Sequence, residues 1–216
     1  MSFTDANVQR VLEEYEARSA EETRRWHSLE WKNFVHERDQ FLLAVGPETG
    51  QFMNLLIREA ESKVILEVGT SYGYSTLWLA EAARATGGRV ITLELQSNKQ
   101  DYARDQMKRA GLADVVEFRL GDAQDLLKQL DTNVDFVLLD LWKDLYVPCF
   151  DLFYPRLNPD AYVVADNMTF PETAKEHAST YRRHIRSKAE IQSILLPIGS
   201  GLEVSRCTRG VTPLEV

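Results

Sequence analysis

VILEVGTSYGYS, residues 64–75, is the stretch of sequence that decides the fold. Residues 64–68 form a short apolar run with β-branched side chains, of the kind that is buried in a parallel sheet. Gly69 ends the run, and residues 75–84 follow with a helical pattern. A buried strand that turns through glycine straight into a helix predicts a parallel sheet with helices on its faces.

The same alternation continues toward the carboxyl end of the chain. Further strands are predicted at residues 89–95, 115–120, 134–140 and 161–165, with helices at 99–110, 122–130, 145–157 and 171–187. Residues 191–197 and 202–207 are then predicted to form a hairpin across Gly199-Ser200-Gly201. The predicted fold class is α/β: a doubly wound, mostly parallel, seven-stranded Rossmann-like sheet with an antiparallel closing strand.

The first 45 residues are predicted to be a helical extension of the core. Apolar residues recur there at helical spacing, and we expect two helices with a break near residues 17–22. The Gly-Pro turn at 46–50 predicts the start of the next helix. We therefore expect one domain over residues 1–216, with a core at 46–216 and extra N-terminal helices at 1–45 that form a lid or a dimer interface.

Composition and charge disfavour several functional classes. The 216 residues are 44% hydrophobic and 27% charged, and the formal net charge of −8 disfavours nucleic-acid binding. No apolar run is long enough to span a bilayer and no secretory pattern opens the chain, so we expect no membrane partner and a cytoplasmic location. Cys149 and Cys207 are expected to be free thiols, because they show no C-x-x-C spacing.

The carboxyl ends of the first three predicted strands suggest a nucleoside pocket. Glycines at 69 and 73 let a ligand approach the backbone, and Glu94, at the end of the second strand, is placed to accept hydrogen bonds from ribose hydroxyls. Asp122-Ala123-Gln124 follows the third strand, where a polar side chain could pair with adenine or Asp122 could cap a helix. These residues alone do not separate a dinucleotide from S-adenosylmethionine, although the spacing is not G-x-G-x-x-G.

An acidic edge is predicted where the fourth and fifth strands end. Asp140 ends the fourth strand and Asp166-Asn167 the fifth, so two carboxylates and one amide oxygen converge at one edge of the sheet. Hard oxygen ligands in that number suit magnesium, and no histidine or cysteine cluster suggests zinc. The alternative is that one aspartate caps a helix while the other is solvated.

Lys143 lies three residues after Asp140. Beside a bound dication and an aromatic ring its pKa would fall, because like charge and burial both disfavour the protonated amine. Lys143 could then act as a general base on a hydroxyl group. The alternative is an ordinary surface lysine paired with Asp144.

Together these motifs resemble the cation-dependent class I O-methyltransferases, the family of catechol O-methyltransferase and the caffeoyl-CoA O-methyltransferases. The likeness runs from about residue 41 to residue 207. Its motifs are Val45-Gly46, the run from Glu67 to Ser75, Leu93-Glu94-Leu95, the run from Asp140 to Tyr146, and Ala165-Asp166-Asn167.

The resemblance implies S-adenosylmethionine as cofactor and Mg²⁺, or another divalent cation such as Ca²⁺ or Mn²⁺, as metal. The implied cofactor-binding residues are Val45, Glu67, Gly69, Ser71, Tyr72, Gly73, Ser75, Glu94, Leu95, Asp122, Ala123, Gln124, Asp140 and Trp142. The implied metal ligands are Asp140, Asp166 and Asn167, and the implied catalytic residues are Lys143 and Asp140.

The resemblance also implies a small aromatic substrate, a catechol-like or caffeoyl-like molecule whose hydroxyl group is methylated. The implied substrate contacts are Lys143, Asn167 and an apolar wall that includes Phe41 and Leu43. The family and the amphipathic N-terminal helices favour a homodimer.

Two departures distinguish the chain from the catechol enzyme. That enzyme has a histidine where this chain has Leu141, and a carboxylate on the penultimate strand that residues 191–196 lack, with Glu190 and Glu203 the nearest. One alternative is therefore a methyltransferase that acts on a hydroxyl group of a non-catechol natural product. A more distant alternative on a similar sheet is a nicotinamide-dependent oxidoreductase.

Overall fold

The computed structural model describes residues 3–28 and 38–210. Its helices are α1 (Ala6–Ser28), α2 (Pro47–Glu59), α3 (Tyr74–Thr86), α4 (Ser97–Ala110), α5 (Ala123–Lys128), α6 (Tyr146–Phe153) and α7 (Lys175–Arg186). Its strands are β1 (Val64–Val68), β2 (Arg89–Glu94), β3 (Val116–Leu120), β4 (Val134–Leu139), β5 (Leu157–Ala165), β6 (Ile191–Leu196) and β7 (Leu202–Cys207).

The seven described strands form one sheet in the order β3-β2-β1-β4-β5-β7-β6. Strands β1 to β5 pair in parallel, whereas β7 runs antiparallel to both of its neighbours, β5 and β6. The predicted doubly wound sheet with one antiparallel closing strand is confirmed. The reversed strand lies inside the sheet, and β6 forms the edge.

Successive residues of β1 point to opposite faces of the sheet, as the period of a strand requires. Ile65 packs into a core shared with α1 to α4, whereas Leu66 and Val68 pack into a second core shared with α5, α6 and α7. Because helices cover both faces, the central strands are mostly apolar, with Glu67 of β1 and Thr92 of β2 as buried polar exceptions. The same reason explains the buried run from Phe136 to Leu139 in β4.

The N-terminal helix α1 is continuous, so the predicted break near residues 17–22 is wrong. That stretch is polar, but it contains neither glycine nor proline to interrupt the helical hydrogen bonds. Arg18 instead bridges to Glu22 one turn later at 2.7 Å, and its guanidinium lies over the rings of Tyr72 and Tyr102. The later part of the predicted extension, residues 29–37, lies outside the described residues.

An apolar stripe and one hydroxyl group fix α1 to the core. Val8 and Leu12 are almost completely buried, and the helix packs on α3 and α4. Tyr15 is also buried, and its hydroxyl donates to the carbonyl of Tyr72 at 2.6 Å. Since Tyr72 belongs to the turn between β1 and α3, α1 holds the glycine turn in place.

Three predicted boundaries shift by four residues, two of them beside prolines. α6 ends at Phe153, before a short 3-10 turn that contains Pro155. α7 begins only at Lys175, because Pro171 has the extended ψ of 159° and is followed by another 3-10 turn. β5 begins at Leu157, where it pairs with β4 ahead of a shift in register.

The two cysteines, Cys149 and Cys207, are buried and free, which confirms the prediction of free thiols. Burial raises the pKa of the Cys149 thiol to about 12, so this group stays protonated at neutral pH. Among the described helices, none is long and apolar enough to cross a membrane.

We expect Tyr15→Phe to lower the free energy of unfolding by about 1–3 kcal/mol, because the carbonyl of Tyr72 loses its donor. Urea denaturation followed by circular dichroism measures the change. Tyr181→Phe is the matched control, because the buried Tyr181 hydroxyl has no hydrogen-bond partner within the described part of the chain and its removal should change little. An equal loss in both variants would contradict the role given to the Tyr15 hydroxyl.

Candidate active site

The carboxyl ends of four parallel strands meet along one edge of the sheet. The register pairs Val68 of β1 with Leu93 of β2 and Leu139 of β4, and Leu139 with Ala165 of β5. The residues that directly follow these strand ends therefore lie side by side. They include the glycine turn after β1 and the aspartates after β4 and β5.

Gly69 lets the glycine turn pack directly against the end of β4. Its φ of 110° is a conformation that side chains rarely adopt, and a Cβ atom built there would lie 2.0 Å from the carbonyl oxygen of Asp140. The amides of Gly69 and Thr70 both donate to the carbonyl of Leu93, at 3.1 and 3.0 Å, which ties the turn to β2. The predicted cofactor motif and the predicted metal motif are thus in backbone contact.

Glu67 lies beneath the turn and is fully buried. Its carboxylate accepts hydrogen bonds from the hydroxyls of Ser75, Thr76 and Thr92, each at 2.6 Å. Burial raises the pKa of Glu67 to about 7, although these three donors favour the charged form. Because the Ser75 proton is committed to Glu67, the free lone pairs of the Ser75 oxygen can accept from a ligand. Glu67 would therefore act on a ligand through Ser75, and this contact stays a prediction.

Glu94 is held by two backbone amides and keeps free acceptor positions. One carboxylate oxygen accepts from the amide of Ser71 at 2.7 Å and the other from the amide of Gln96 at 2.9 Å. An ionised carboxylate has about four lone-pair positions, so Glu94 can still accept from two ribose hydroxyls. Leu95, the next residue, exposes 68% of its surface and offers an apolar face to a flat ring.

Asp122 caps α5, as one of the two sequence interpretations expected. Its side chain accepts from the amides of Gln124 and Asp125, at 2.9 and 3.2 Å. The amide of Gly121 just before it donates to the carbonyl of Glu94 at 2.8 Å. The segment Asp122-Ala123-Gln124 therefore borders the Glu94 site, and its contact with an adenine stays a prediction.

Residues 41–45 connect the glycine turn to α1. The amide of Leu42 donates to Glu22 at 2.6 Å, and the carbonyl of Leu42 accepts from the Ser71 hydroxyl at 3.4 Å. Of the two residues predicted to form an apolar substrate wall, Leu43 exposes 40% of its surface but Phe41 exposes only 2%. In this conformation only Leu43 is available to a substrate.

The remaining predicted cofactor residues lie around the turn. Val45 is buried directly before Gly46, the N-cap of α2. The half-buried Tyr72 donates its hydroxyl to the carbonyl of Asp39 at 3.1 Å. Gly73 has a φ of 87° and forms the N-cap of α3. Trp142, which follows the end of β4, exposes 48% of its surface.

Lys143 contacts two of the three predicted metal ligands, which lie at the ends of β4 and β5. Its Nζ lies 2.7 Å from Oδ1 of Asn167 and 3.4 Å from Oδ1 of Asp140. Asp166 is almost completely buried. Its pKa is raised to about 7, mainly by burial and to a smaller extent by the negative charge of Asp140. Asn167 adopts a φ of 56°, which asparagine tolerates better than most residues.

The amine of Lys143 is buried among acceptors. Burial lowers the pKa of Lys143, while the charges of Asp140 and Asp166 oppose this effect. Its other two partners are the carbonyl of Leu141 at 3.1 Å and the hydroxyl of Tyr146 at 2.5 Å. The side chain exposes only 11% of its surface, so the alternative of an ordinary surface lysine paired with Asp144 is wrong.

The oxygen atoms at this edge fit a divalent cation. Two carboxylates and one amide oxygen are hard donors of the kind that Mg²⁺ and Ca²⁺ prefer. Within residues 3–28 and 38–210, no group of three or more His, Cys, Asp or Glu side chains could hold a metal ion. A cation here would therefore need the amide oxygen of Asn167 as its third protein ligand.

The catechol enzyme has a carboxylate on its penultimate strand, and Glu203 and Glu190 are the residues of this chain nearest to that position. Glu203 pairs with arginines instead of facing the site. It is fully buried in β7 and accepts from Arg182 at 3.0 Å and Arg186 at 2.6 Å, both on α7. The other nearby carboxylate, Glu190, accepts from Arg209 at 2.9 Å. Both charges are therefore neutralised within the fold.

Tyr146 belongs to the site, although the sequence pattern assigned it no role. It is the first residue of α6 and is fully buried. Its hydroxyl binds Lys143 and donates to the carbonyl of Asp166 at 3.1 Å. The sequence feature that could have identified Tyr146 is its position three residues after Lys143, because side chains at this spacing meet across one helical turn.

The fold and the site together define an α/β protein in which a glycine turn packs against the acidic edge of a parallel sheet. The sequence profile of the O-methyltransferase family matches residues 16–207 of the chain. The chain belongs to this O-methyltransferase family, and the resemblance predicted from its motifs is confirmed.

Comparisons with individual proteins agree with this assignment. The chain is 36% identical over 140 residues to catechol O-methyltransferase from Niastella koreensis, covering 63% of each protein. It is 37% identical over 127 residues to catechol O-methyltransferase from Mycobacterium tuberculosis, covering 58% of this chain and 57% of that protein. The match thus spans about three-fifths of the length of these curated relatives.

Similarity to a solved structure extends over nearly the whole chain. The O-methyltransferase from Bacillus cereus, in complex with SAH, superposes with a TM-score of 0.74 at 26% identity. The superposition covers 95% of this chain and 92% of the Bacillus protein. The described fold, including its N-terminal part, is therefore one that this family uses.

We expect Gly69→Ala to lower the free energy of unfolding by about 2–5 kcal/mol, because the strain of a positive φ adds to the displacement of the Asp140 backbone. Gly87→Ala is the matched control: Gly87 has a φ of 69°, but a Cβ built there would meet nothing within 4 Å. The control should lose only about 1–2 kcal/mol of strain. Urea unfolding measures both variants, and equal losses would refute the importance of the Gly69–Asp140 approach.

Proposed function

We propose that the protein is an S-adenosylmethionine-dependent O-methyltransferase that acts on a small catechol-like or caffeoyl-like aromatic molecule. Membership of the family supports methyl transfer to oxygen, and a relative of the same fold binds SAH, the demethylated form of this cofactor. The observation that carries the proposal is that the glycine turn packs against the acidic edge, where Gly69 meets the backbone of Asp140. A methyl donor on one side of this junction would face a hydroxyl group held on the other.

Each part of the cofactor has a candidate partner. The ribose hydroxyls would donate to Glu94, which the amides of Ser71 and Gln96 hold in place. The adenine would lie against the exposed side chain of Leu95. The ammonium group of the methionine part would donate to the oxygen of Ser75, whose own proton is directed to Glu67.

A divalent cation, in the first place Mg²⁺, is proposed at the acidic edge. Asp140, Asp166 and Asn167 would hold it. When bound, such a cation supplies positive charge that favours the deprotonated form of an acceptor hydroxyl. The raised pKa of Asp166 supports the proposal, because a bound cation would favour the charged form of this buried carboxyl group.

Lys143 is the proposed general base. Burial lowers its pKa, which favours the neutral amine that can take a proton onto Nζ. The proton would pass from the acceptor hydroxyl to Nζ, and the acceptor oxygen would form a bond to the methyl carbon as the carbon–sulfur bond breaks. S-adenosylhomocysteine and the methyl ether are then the products. Fixed placement of the amine contributes orientation.

An aromatic acceptor is supported by apolar surface close to the site. Leu43 exposes 40% and Trp142 48% of their surface. Leu141 replaces the histidine of the catechol enzyme, and Glu203 is bound to Arg182 and Arg186. Since the contacts to a second hydroxyl differ from those of the catechol enzyme, a hydroxyl group on a non-catechol natural product is the alternative acceptor.

A homodimer, a cytoplasmic location and the lack of nucleic-acid and membrane partners stay predictions. The formal net charge of −8 supports the expectation that nucleic acid is not a partner. Size-exclusion chromatography with light scattering tests the homodimer.

We expect Asp166→Ala to abolish metal-dependent methyl transfer, because the edge keeps only one carboxylate for the cation. Transfer of a labelled methyl group from S-adenosylmethionine to catechol is measured with Mg²⁺ and with EDTA. The melting temperature gives a second readout, since Mg²⁺ should raise it for the wild type and not for the variant.

Asp151→Ala is the matched control for the metal experiment. Asp151 is a half-exposed carboxylate that pairs with His184 and Lys188 on the surface, so both responses to Mg²⁺ should persist. Full wild-type activity in EDTA would refute the metal, while a lack of transfer to catechol and caffeoyl compounds alike would refute the proposed acceptors.

We expect Lys143→Ala to lower kcat by about 100- to 10,000-fold, the usual contribution of a general base. The dissociation constant for S-adenosylhomocysteine, measured by calorimetry, should change little, because Lys143 contacts the acidic edge rather than the glycine turn. Lys175→Ala, at an exposed lysine, should leave both quantities unchanged. An unchanged kcat in Lys143→Ala would remove Lys143 from the mechanism.

A further inference from the structure

We propose that Tyr146 is a positioning residue for Lys143, whose hydroxyl group fixes the lysine amine at the acidic edge. The inference rests on the proposed function, in which Lys143 takes the proton of the acceptor. The Tyr146 oxygen lies 2.5 Å from Nζ of Lys143 and 3.1 Å from the carbonyl oxygen of Asp166. One phenol therefore joins the segment after β4 to the turn after β5.

Chemistry fixes the direction of both hydrogen bonds. A phenol has one proton and a carbonyl oxygen can only accept, so the Tyr146 proton points to Asp166. The Tyr146 oxygen is left to accept a hydrogen bond from Nζ of Lys143. This contact is available to a charged and to a neutral amine alike, because both carry N–H groups.

The amine of Lys143 has more acceptors than protons. Oxygens of Asp140, Leu141, Tyr146 and Asn167 all lie within 3.4 Å of Nζ, whereas an ammonium group has three protons. Asp140 and Asn167 are proposed metal ligands, so a bound cation would compete for their oxygens. The Leu141 carbonyl and the Tyr146 hydroxyl are not proposed metal ligands, so they would still accept from Nζ of Lys143 with a cation bound.

Tyr146 is rigid where Lys143 is flexible. The tyrosine is fully buried at the start of α6, and its ring packs edge to face on Tyr181 with centroids 5.3 Å apart. The lysine reaches the site on a flexible four-carbon chain, and its Nζ lies 4.4 Å from the centroid of the Tyr146 ring. A displacement of about 1 Å is enough to slow a reaction substantially, so a fixed partner for the amine matters.

The test compares Tyr146→Phe with Tyr181→Phe in the full-length protein, with catechol, Mg²⁺ and labelled S-adenosylmethionine. Tyr146→Phe keeps the ring and removes the hydroxyl, and we expect kcat to fall by about 10- to 100-fold while the KM for the cofactor stays within about threefold. Tyr181→Phe removes a hydroxyl that is equally buried in the same aromatic cluster and has no partner among the described residues, and it should leave kcat unchanged.

The double variant Lys143→Ala with Tyr146→Phe separates positioning from a general structural role. If Tyr146 acts through Lys143, the double variant has the kcat of Lys143→Ala alone. A further drop of the same factor in the double variant, or a wild-type kcat in Tyr146→Phe, would overturn the inference. A wild-type kcat in Lys143→Ala would instead overturn the proposed base, so the two failures are distinguishable.

Crystal structures of the two tyrosine variants provide a readout that needs no turnover. Nζ of Lys143 should shift by about 1 Å or more, or lose its density, in Tyr146→Phe, whereas it should stay within about 0.5 Å in Tyr181→Phe. An unmoved amine in Tyr146→Phe would count against positioning even if the rate fell.

Discussion

The close approach of Gly69 to the carbonyl of Asp140 is the contact on which the site depends. It requires a residue without a side chain, since a Cβ would come within 2.0 Å of the carbonyl oxygen. Because β1 and β4 are neighbours in the parallel sheet, this contact sets the distance between the glycine turn and the acidic edge. In the proposed function a methyl group would cross only this junction. The sheet order, with β1 beside β4, is therefore the part of the fold on which the proposed chemistry depends most directly.

Burial of ionisable groups is the second theme of the site. Glu67 and Asp166 lie in the interior, and burial raises the pKa of each to about 7. Three hydroxyl donors stabilise the charged form of Glu67, and the positive charge of the nearby Lys143 stabilises the charged form of Asp166. Burial lowers the pKa of Lys143 itself. The edge thus combines unsatisfied negative charge with a poorly solvated amine, a combination suited to a cation and to proton transfer.

The sequence predicts the sheet and the strand-end residues well, because the signals are local. Apolar runs, glycines and the polar residues after each strand place Glu94 and Asp140 without knowledge of long-range contacts. Features that depend on tertiary packing are harder to predict. The guanidinium of Arg18, in the continuous helix α1, lies over the rings of Tyr72 and Tyr102, which are far along the chain. Phe41, a predicted substrate contact, exposes only 2% of its surface in the folded chain. Tyr146 looks like one more apolar residue of a helix until the fold brings the carbonyl of Asp166 to its hydroxyl.

The bond from Tyr15 to the carbonyl of Tyr72 joins residues that are 57 positions apart, so the glycine turn is complete only when the N-terminal helix is docked. Local opening of α1 would take this donor away and would also release Leu42 from Glu22. The glycine turn is therefore coupled to the local unfolding of α1. A ligand that bound only the intact turn would be thermodynamically linked to that opening, and its binding would slow hydrogen exchange at the amides of α1.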